Sequence, residues 1–152
     1  MIKLSVSTVI DRPIEEVFAY VSDIGHDVEW GSGVVEVRKT SEGPWGLGTR
    51  YVYVRHVLGR RIEAPGEITA FEPPHRYAFR AESGPVQASG ATDLEPAEGG
   101  TRLTFSMEAE PGGLFKLAEP LLGNQLRRQM EFELGTLKAL LEARGGAGEA
   151  TP

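Results

Sequence analysis

The chain has 152 residues, of which 40% are hydrophobic and 25% are charged, which favours one domain with a sizeable core. Its formal charge of −6 argues against nucleic acid and against an anionic membrane surface, because both attract positively charged proteins. The absence of cysteine excludes disulfides, thiol nucleophiles and cysteine-ligated metal sites.

The N-terminal segment alternates apolar and polar residues from Ile2 to Ile10, which predicts a half-buried strand and not a signal peptide. No run approaches the roughly 18 apolar residues of a membrane span, so we expect no stable membrane insertion and a cytoplasmic protein. The stretch 145–152 has little to bury and is predicted to be a disordered tail. The predicted domain is therefore 1–144.

Two short helices are predicted after the first strand. Asp11 is placed to cap the first helix, and the helical spacing of its apolar residues runs from Ile14 to Val21. A second short helix is predicted from Ile24 to Trp30, where Gly31 follows.

Six further segments are typical of strands separated by turn-forming residues. Their predicted bounds are Val34–Lys39, Thr49–Leu58, Arg60–Phe71, His75–Glu82, Val86–Leu94 and Thr101–Ala109.

A long helix is predicted from Leu114 to Arg144, with a weak point at Pro120 and Gly123. Its apolar stripe has 4-4-3-4 spacing and comprises Leu126, Met130, Leu134, Leu137 and Leu141. Such a helix would span about 45 Å and needs a broad apolar partner, which a curved antiparallel sheet supplies. The sequence therefore predicts an α+β fold of seven strands around one helix, with a cavity between them.

The order of these segments and their local sequences resemble those of the SRPBCC superfamily, which has the helix-grip fold and includes START and polyketide cyclase/dehydrase proteins. The resemblance rests on the segments Ile10–Phe18, Gly46–Arg50, Phe71–Tyr77 and Gly99–Arg102, and on the end of the long helix at Leu137–Glu142. It covers roughly residues 2 to 142. It implies a container for a hydrophobic molecule, an aromatase/cyclase enzyme or a chaperone-type interaction module.

Strand alternation and the helix stripe supply a candidate ligand-binding wall, for which ordinary core packing is the alternative. Its predicted members, from strands and helix, are Tyr77, Phe79, Ala88, Gly90, Phe105, Met107, Leu117, Leu121, Leu122 and Met130. Small side chains such as Ala88 and Gly90 suit an open pocket.

Several polar or aromatic residues could have more than one role. Trp30 either closes one end of the pocket or anchors the short helices, and Trp45 lies on a loop that could gate it. Tyr51 and Tyr53 share a strand face that points either inward, as polar handles for a ligand, or outward. His56, on the opposite face, is a weak candidate for a general base.

The segment Asp23–Glu29 combines acids with His26, but its spacing matches no zinc pattern, so we predict no metal and no cofactor. Arg55, Arg60 and Arg61 flank a hairpin and either meet an anionic head group or form a solvated tip.

Three functions remain open. The first is binding of a small hydrophobic or amphipathic molecule, such as a lipid, polyketide or isoprenoid-like compound, by a monomer or homodimer. The second is a polyketide aromatase/cyclase, which predicts at least two ionisable side chains inside the pocket. The third is a chaperone or stress-protein interaction module, which predicts a filled core and an exposed apolar patch.

Overall fold

The computed structural model describes residues 1–57, 59–83, 86–110 and 119–150. Their elements follow one another as β1 (Ile2–Ile10), α1 (Ile14–Val21), a 3₁₀ turn (Ile24–His26), α2 (Asp27–Trp30), β2 (Val34–Lys39), β3 (Arg50–Val57), β4 (Arg60–Glu72), β5 (Arg76–Ser83), β6 (Val86–Ala97), β7 (Gly100–Glu110) and α3 (Glu119–Ala150).

The seven strands form one antiparallel sheet in the order β1-β7-β6-β5-β4-β3-β2. Consecutive strands from β2 to β7 are neighbours, as short turns require, and β1 pairs with β7 from Ile2–Ala109 to Ile10–Thr101. The segment from α1 to α2 therefore crosses from one edge of the sheet to the other. Irregular registers in β2 and β4, the latter between Ile68 and Ala70, bend the strands in the way that β-bulges do.

The helix α3 packs on the sheet through the apolar stripe predicted from the sequence. Leu134, Leu137 and Leu141 are at most 5% exposed and belong to the main core cluster with Ile10 and Val17. Nearer its start, α3 covers a second buried cluster of Ile2, Leu4 and Ala109. The fold predicted from the sequence, seven strands around one long helix with two short helices between strands one and two, is confirmed.

The element boundaries differ from the predictions mainly at the helices. Pro13, and not Asp11, occupies the N-cap position of α1, and the Asp11 backbone N–H donates instead to Glu142. Pro13 fits because its carbonyl accepts the hydrogen bond of Val17, and its missing N–H is not needed there. Residues 111–118, where the last helix was expected to begin, lie outside the described residues.

At its other end α3 continues to Ala150, beyond the predicted boundary at Arg144. Ala147, Glu149 and Ala150 favour helix, so the backbone ladder continues despite the glycines in this segment. The domain boundary at residue 144 and the disordered tail stay predictions, and 151–152 lie outside the described residues.

Candidate functional site

A cavity of about 610 Å³ lies between the concave face of the sheet and α3. Its wall is contributed by the short helical segment, by strands β3 to β7 and by one face of α3. The volume falls in the range of small-molecule sites, which are usually apolar pockets with a few convergent polar groups.

The floor of the cavity is formed by aromatic and small side chains of β5, β6 and β7. Phe79 and Phe105 stack with ring centroids 6.3 Å apart and planes at 14°. Gly90 makes this possible, since a Cβ there would lie 2.7 Å from Cε1 of Phe79. Ala88 lies beside them and leaves the neighbouring space open.

The opposite end carries polar groups, of which Asp27 is the most unusual. The Tyr53 hydroxyl donates to Oδ2 of Asp27 at 2.9 Å, while Oδ1 is buried and has no hydrogen-bond partner among the residues that the structure describes. Burial raises the pKa of Asp27 to about 8, against the opposing effects of the Tyr53 hydrogen bond and the Arg55 charge. A carboxyl in this setting is largely neutral at pH 7.

Glu133 is the second acid of this end, and it is only 1% exposed. Its Oε1 accepts from the Ser32 backbone N–H at 2.6 Å and from the Arg55 guanidinium at 3.2 Å. Burial raises the pKa of Glu133, while the Arg55 charge and these hydrogen bonds lower it. Arg55 also donates to the Ser32 carbonyl and lies over the ring of Tyr53, the residue that donates to Asp27.

Tyrosine hydroxyls complete the polar end. Burial, with the nearby Asp27 charge, raises the pKa values of Tyr51, Tyr53 and Tyr77, so all three stay protonated at physiological pH. The Tyr77 hydroxyl has a hydrogen bond with Thr92. These groups offer O–H donors inside an otherwise apolar wall.

Most of the wall residues predicted from the sequence line the cavity. They are Trp30, Tyr51, Tyr53, Tyr77, Phe79, Ala88, Phe105, Met107 and Met130. The inward face of β3 is thus the one that carries Tyr51 and Tyr53.

Three of the other predicted wall residues lie elsewhere, and the fourth is not among the described residues. Leu121 is 71% exposed because it stands one position before Leu122, about 100° around the helix from the buried stripe. Leu122 packs against the second buried cluster, which contains Ile2 and Leu4, instead of lining the cavity. Gly90 lies behind the Phe79 ring, and Leu117 lies outside the described residues.

His56 lies at the rim, where its side chain is exposed although the residue contributes to the wall. Trp45 packs against the core with its ring 5.5 Å from that of Tyr51, and its role as a gate stays a prediction.

The acidic stretch before α2 has separate local partners. Asp23 accepts from the Gly25 N–H, the His26 ring stacks on Tyr20, and Glu29 accepts from the Tyr20 hydroxyl. Within 1–57, 59–83, 86–110 and 119–150, no three histidine or acidic side chains are grouped as a metal site.

The residues missed by sequence reasoning are Asp27 and Glu133 as members of the cavity wall, whereas Arg55, one of the arginines considered for an anionic head group, does contribute to it. A signal existed for Glu133, which lies three residues after Met130 and four before Leu137, on the buried stripe of α3. A similar signal existed for Asp27, which lies three residues after the buried Ile24.

Comparison with solved structures places this fold among many similar ones. The protein TTHA0849 from Thermus thermophilus is 19% identical with a TM-score of 0.79, over 93% of this chain and 98% of that chain. A conserved protein from Geobacillus kaustophilus is 23% identical with a TM-score of 0.72, over 90% and 93% of the two chains. Ara h 8.0201 is 16% identical with a TM-score of 0.61, over 89% and 97%. At these identities the likeness establishes the fold alone.

No curated protein matches the chain in sequence. None of the helices in the described ranges is long and apolar enough to span a membrane. The family model described as polyketide cyclase / dehydrase and lipid transport matches residues 1–142, nearly the whole chain and every described strand. With the helix-grip architecture this confirms the resemblance noted in the sequence, and the chain belongs to the polyketide cyclase / dehydrase and lipid transport family.

Proposed function

We propose that this protein binds a small hydrophobic or amphipathic molecule, such as a lipid, polyketide or isoprenoid-like compound, in the cavity between sheet and α3. The observation that carries the proposal is the cavity itself, whose volume is about 610 Å³ and whose floor is aromatic and aliphatic. Each Å² of apolar ligand surface removed from water contributes about 25 cal/mol before the costs of association. Membership of a family that includes lipid-transport proteins supports the same function.

The test is native mass spectrometry of freshly purified protein, followed by organic extraction of bound molecules. Phe79→Glu places a charge in the cavity floor and should abolish co-purification of the ligand. Phe132→Glu is the matched control, because Phe132 is 70% exposed on the outer face of α3. Circular dichroism establishes that both variants are folded. Equal ligand content in the two variants would contradict the proposal.

A second candidate function is catalysis of the aromatase/cyclase type, which a specific observation favours. This function predicts at least two ionisable side chains in the pocket, and Asp27, Tyr53, Arg55 and Glu133 all contribute to one end of it. A largely neutral Asp27 can donate a proton to a substrate oxygen, whereas the exposed His56 at the rim is less suited to this role.

The enzyme hypothesis is tested by incubating the protein with a short poly-β-ketone thioester and following loss of water by mass spectrometry. Wild type should convert it faster than Asp27→Asn, which keeps the shape of the side chain but cannot donate the same proton. Equal rates in both proteins and in buffer would exclude this reaction.

The interaction-module alternative predicts a filled core, and the cavity volume weighs against it.

We further propose a cytoplasmic monomer or homodimer that binds neither nucleic acid nor cofactor. Size-exclusion chromatography with light scattering tests the oligomeric state.

A further inference from the structure

Two polar atoms of the cavity wall have unused hydrogen-bonding capacity. They are Oδ1 of Asp27 and Nε1 of Trp30, which are buried and have no hydrogen-bond partner among the described residues. An unsatisfied buried group of this kind costs about 1–3 kcal/mol, so each is a place where a ligand atom would be stabilised. Both side chains contribute to the wall of the same cavity.

The backbone holds the two side chains on one face. Asp27 and Trp30 begin and end α2, three residues apart, and residues at this spacing are neighbours on a helix surface. Gly31 closes the turn tightly, since a Cβ there would lie 2.8 Å from the Asp27 carbonyl oxygen and 2.5 Å from a methyl carbon of Val34. The turn is therefore packed in place.

The chemistry of the two atoms restricts the ligand group that can engage both. The indole N–H only donates, so the ligand atom must accept a hydrogen bond. An ammonium group cannot accept, while an ether or carbonyl oxygen cannot donate to a carboxylate. Among single-atom groups, a hydroxyl fits both protonation states of Asp27, because it accepts from the neutral acid and donates to the carboxylate.

We propose that Asp27 and Trp30 together bind a hydroxyl group of an otherwise apolar ring-containing ligand. This assignment rests on the proposed binding function and names the chemical class and the two residues that select it. The surrounding aromatic wall receives the rest of the ligand, with Phe79 and Phe105 at the far end.

Binding requires a small rotation, because neighbouring side chains cover both atoms. Among the described residues, the Asp27 carboxyl takes part in one hydrogen bond, which Oδ2 accepts from the Tyr53 hydroxyl.

The experiment compares four probes on one ring skeleton by isothermal titration calorimetry: fluorene, 9-fluorenol, 9-methoxyfluorene and 9-fluorenone. Measurements are made at pH 9, where Asp27 is a carboxylate that only accepts. The charged or titratable groups that interact with it there are Tyr20 of α1, Tyr51, Tyr53 and Arg55 of β3, Tyr77 of β5, Glu133 of α3, and Asp23 before α2. Burial raises the pKa of each of these tyrosines, so all of them keep their protons at pH 9.

For wild type we expect 9-fluorenol to bind about tenfold more tightly than the other three, the equivalent of one net hydrogen bond. Asp27→Asn should reduce the preference for the alcohol over the methyl ether. Trp30→Phe should reduce the preference for the alcohol over fluorene. The control Asp11→Asn should retain both preferences, since Asp11 is exposed and is not part of the described cavity wall.

A second readout does not depend on either variant folding. The indole N–H proton resonance of Trp30 should move downfield when 9-fluorenol binds and should not do so with fluorene. Equal affinities for all four probes, with no such change, would overturn the hydroxyl assignment and leave the binding function intact. Failure of every probe to bind would count against the binding function, and the assignment would fall with it.

Discussion

The raised pKa of Asp27 makes a stability prediction that needs no ligand. The folded-state pKa of about 8 lies above the ordinary value of 3.8, so folding favours the protonated carboxyl. Below pH 3.8 the group is neutral in both states and has no effect. As pH rises from 3.8 to 8, the unfolded chain ionises first and wild type loses stability, and above pH 8 the loss is complete.

The magnitude follows from the shift. At pH 7 the pH is 3.2 units above the unfolded-state pKa of 3.8 (7 − 3.8), and each unit corresponds to about 1.4 kcal/mol. The stability that wild type loses to the buried carboxyl is therefore at most about 4 kcal/mol. Asp27→Asn removes this cost and retains an oxygen that can accept from Tyr53. Asparagine still buries a polar amide, which lowers the gain, so we expect the variant to be more stable by about 2 kcal/mol at pH 7.

The assay is urea denaturation of wild type and Asp27→Asn from pH 5 to pH 9, with Asp11→Asn as the exposed control. The difference in unfolding free energy should grow with pH and become constant above about pH 8. Other titrating groups cancel in this difference. A constant difference across the range, or a variant less stable than wild type at pH 8, would refute the reasoning.

Four further substitutions test the packing and the ion pairing of the sheet and of α3. Gly90→Ala should destabilise the protein by about 2 kcal/mol in thermal unfolding, because its Cβ would meet Phe79 at 2.7 Å and a β7 carbonyl oxygen at 2.9 Å. Gly135→Ala should stabilise it by about 0.8 kcal/mol, since it lies inside α3 with open space around it; no gain would contradict this. Arg55→Met should lower the unfolding free energy by about 3 kcal/mol, because Glu133 stays buried without its cation. Adding Glu133→Gln should restore part of this loss, as measured by denaturant titration. If the losses of the two single variants simply add in the double variant, the two residues are not coupled.

The fold was predictable because its signals are local. Alternation in β1 and the apolar stripe of α3 each arise from residues within a few positions of one another. Leu137, with 0% exposure, and Ile10, also 0%, illustrate how well the two periodicities identify buried positions. Boundaries were less predictable: Pro13 takes the N-cap position expected for Asp11, and the Asp11 backbone N–H donates to Glu142, which is 131 residues away in sequence.

The two buried acids at the polar end of the site were not predicted as part of it, because their partners are distant in sequence. Tyr53 and Asp27 are 26 residues apart, and Arg55 and Glu133 are 78 apart. Charged residues are seldom buried unless paired, so sequence reasoning assigns an acid to the surface until its partner is known. Leu121 shows the opposite error. It was predicted in the wall because it is apolar, but its angular position on the helix, next to the buried stripe, leaves it exposed.

The two buried acids differ in a way that separates structural from functional roles. Glu133 accepts from a backbone N–H and from a guanidinium, so its charge is compensated by the protein itself. Asp27 has one hydroxyl partner and one oxygen without any among the described residues, and its carboxyl is correspondingly held neutral at a cost to stability. If Asp27 served only to stabilise the fold, asparagine at this position would serve better, because it does not carry the cost of a buried carboxyl. We therefore expect Asp27→Asn to raise stability and weaken hydroxyl binding in the same molecule, and a variant that gained stability with unchanged probe preference would show that Asp27 does not select the ligand.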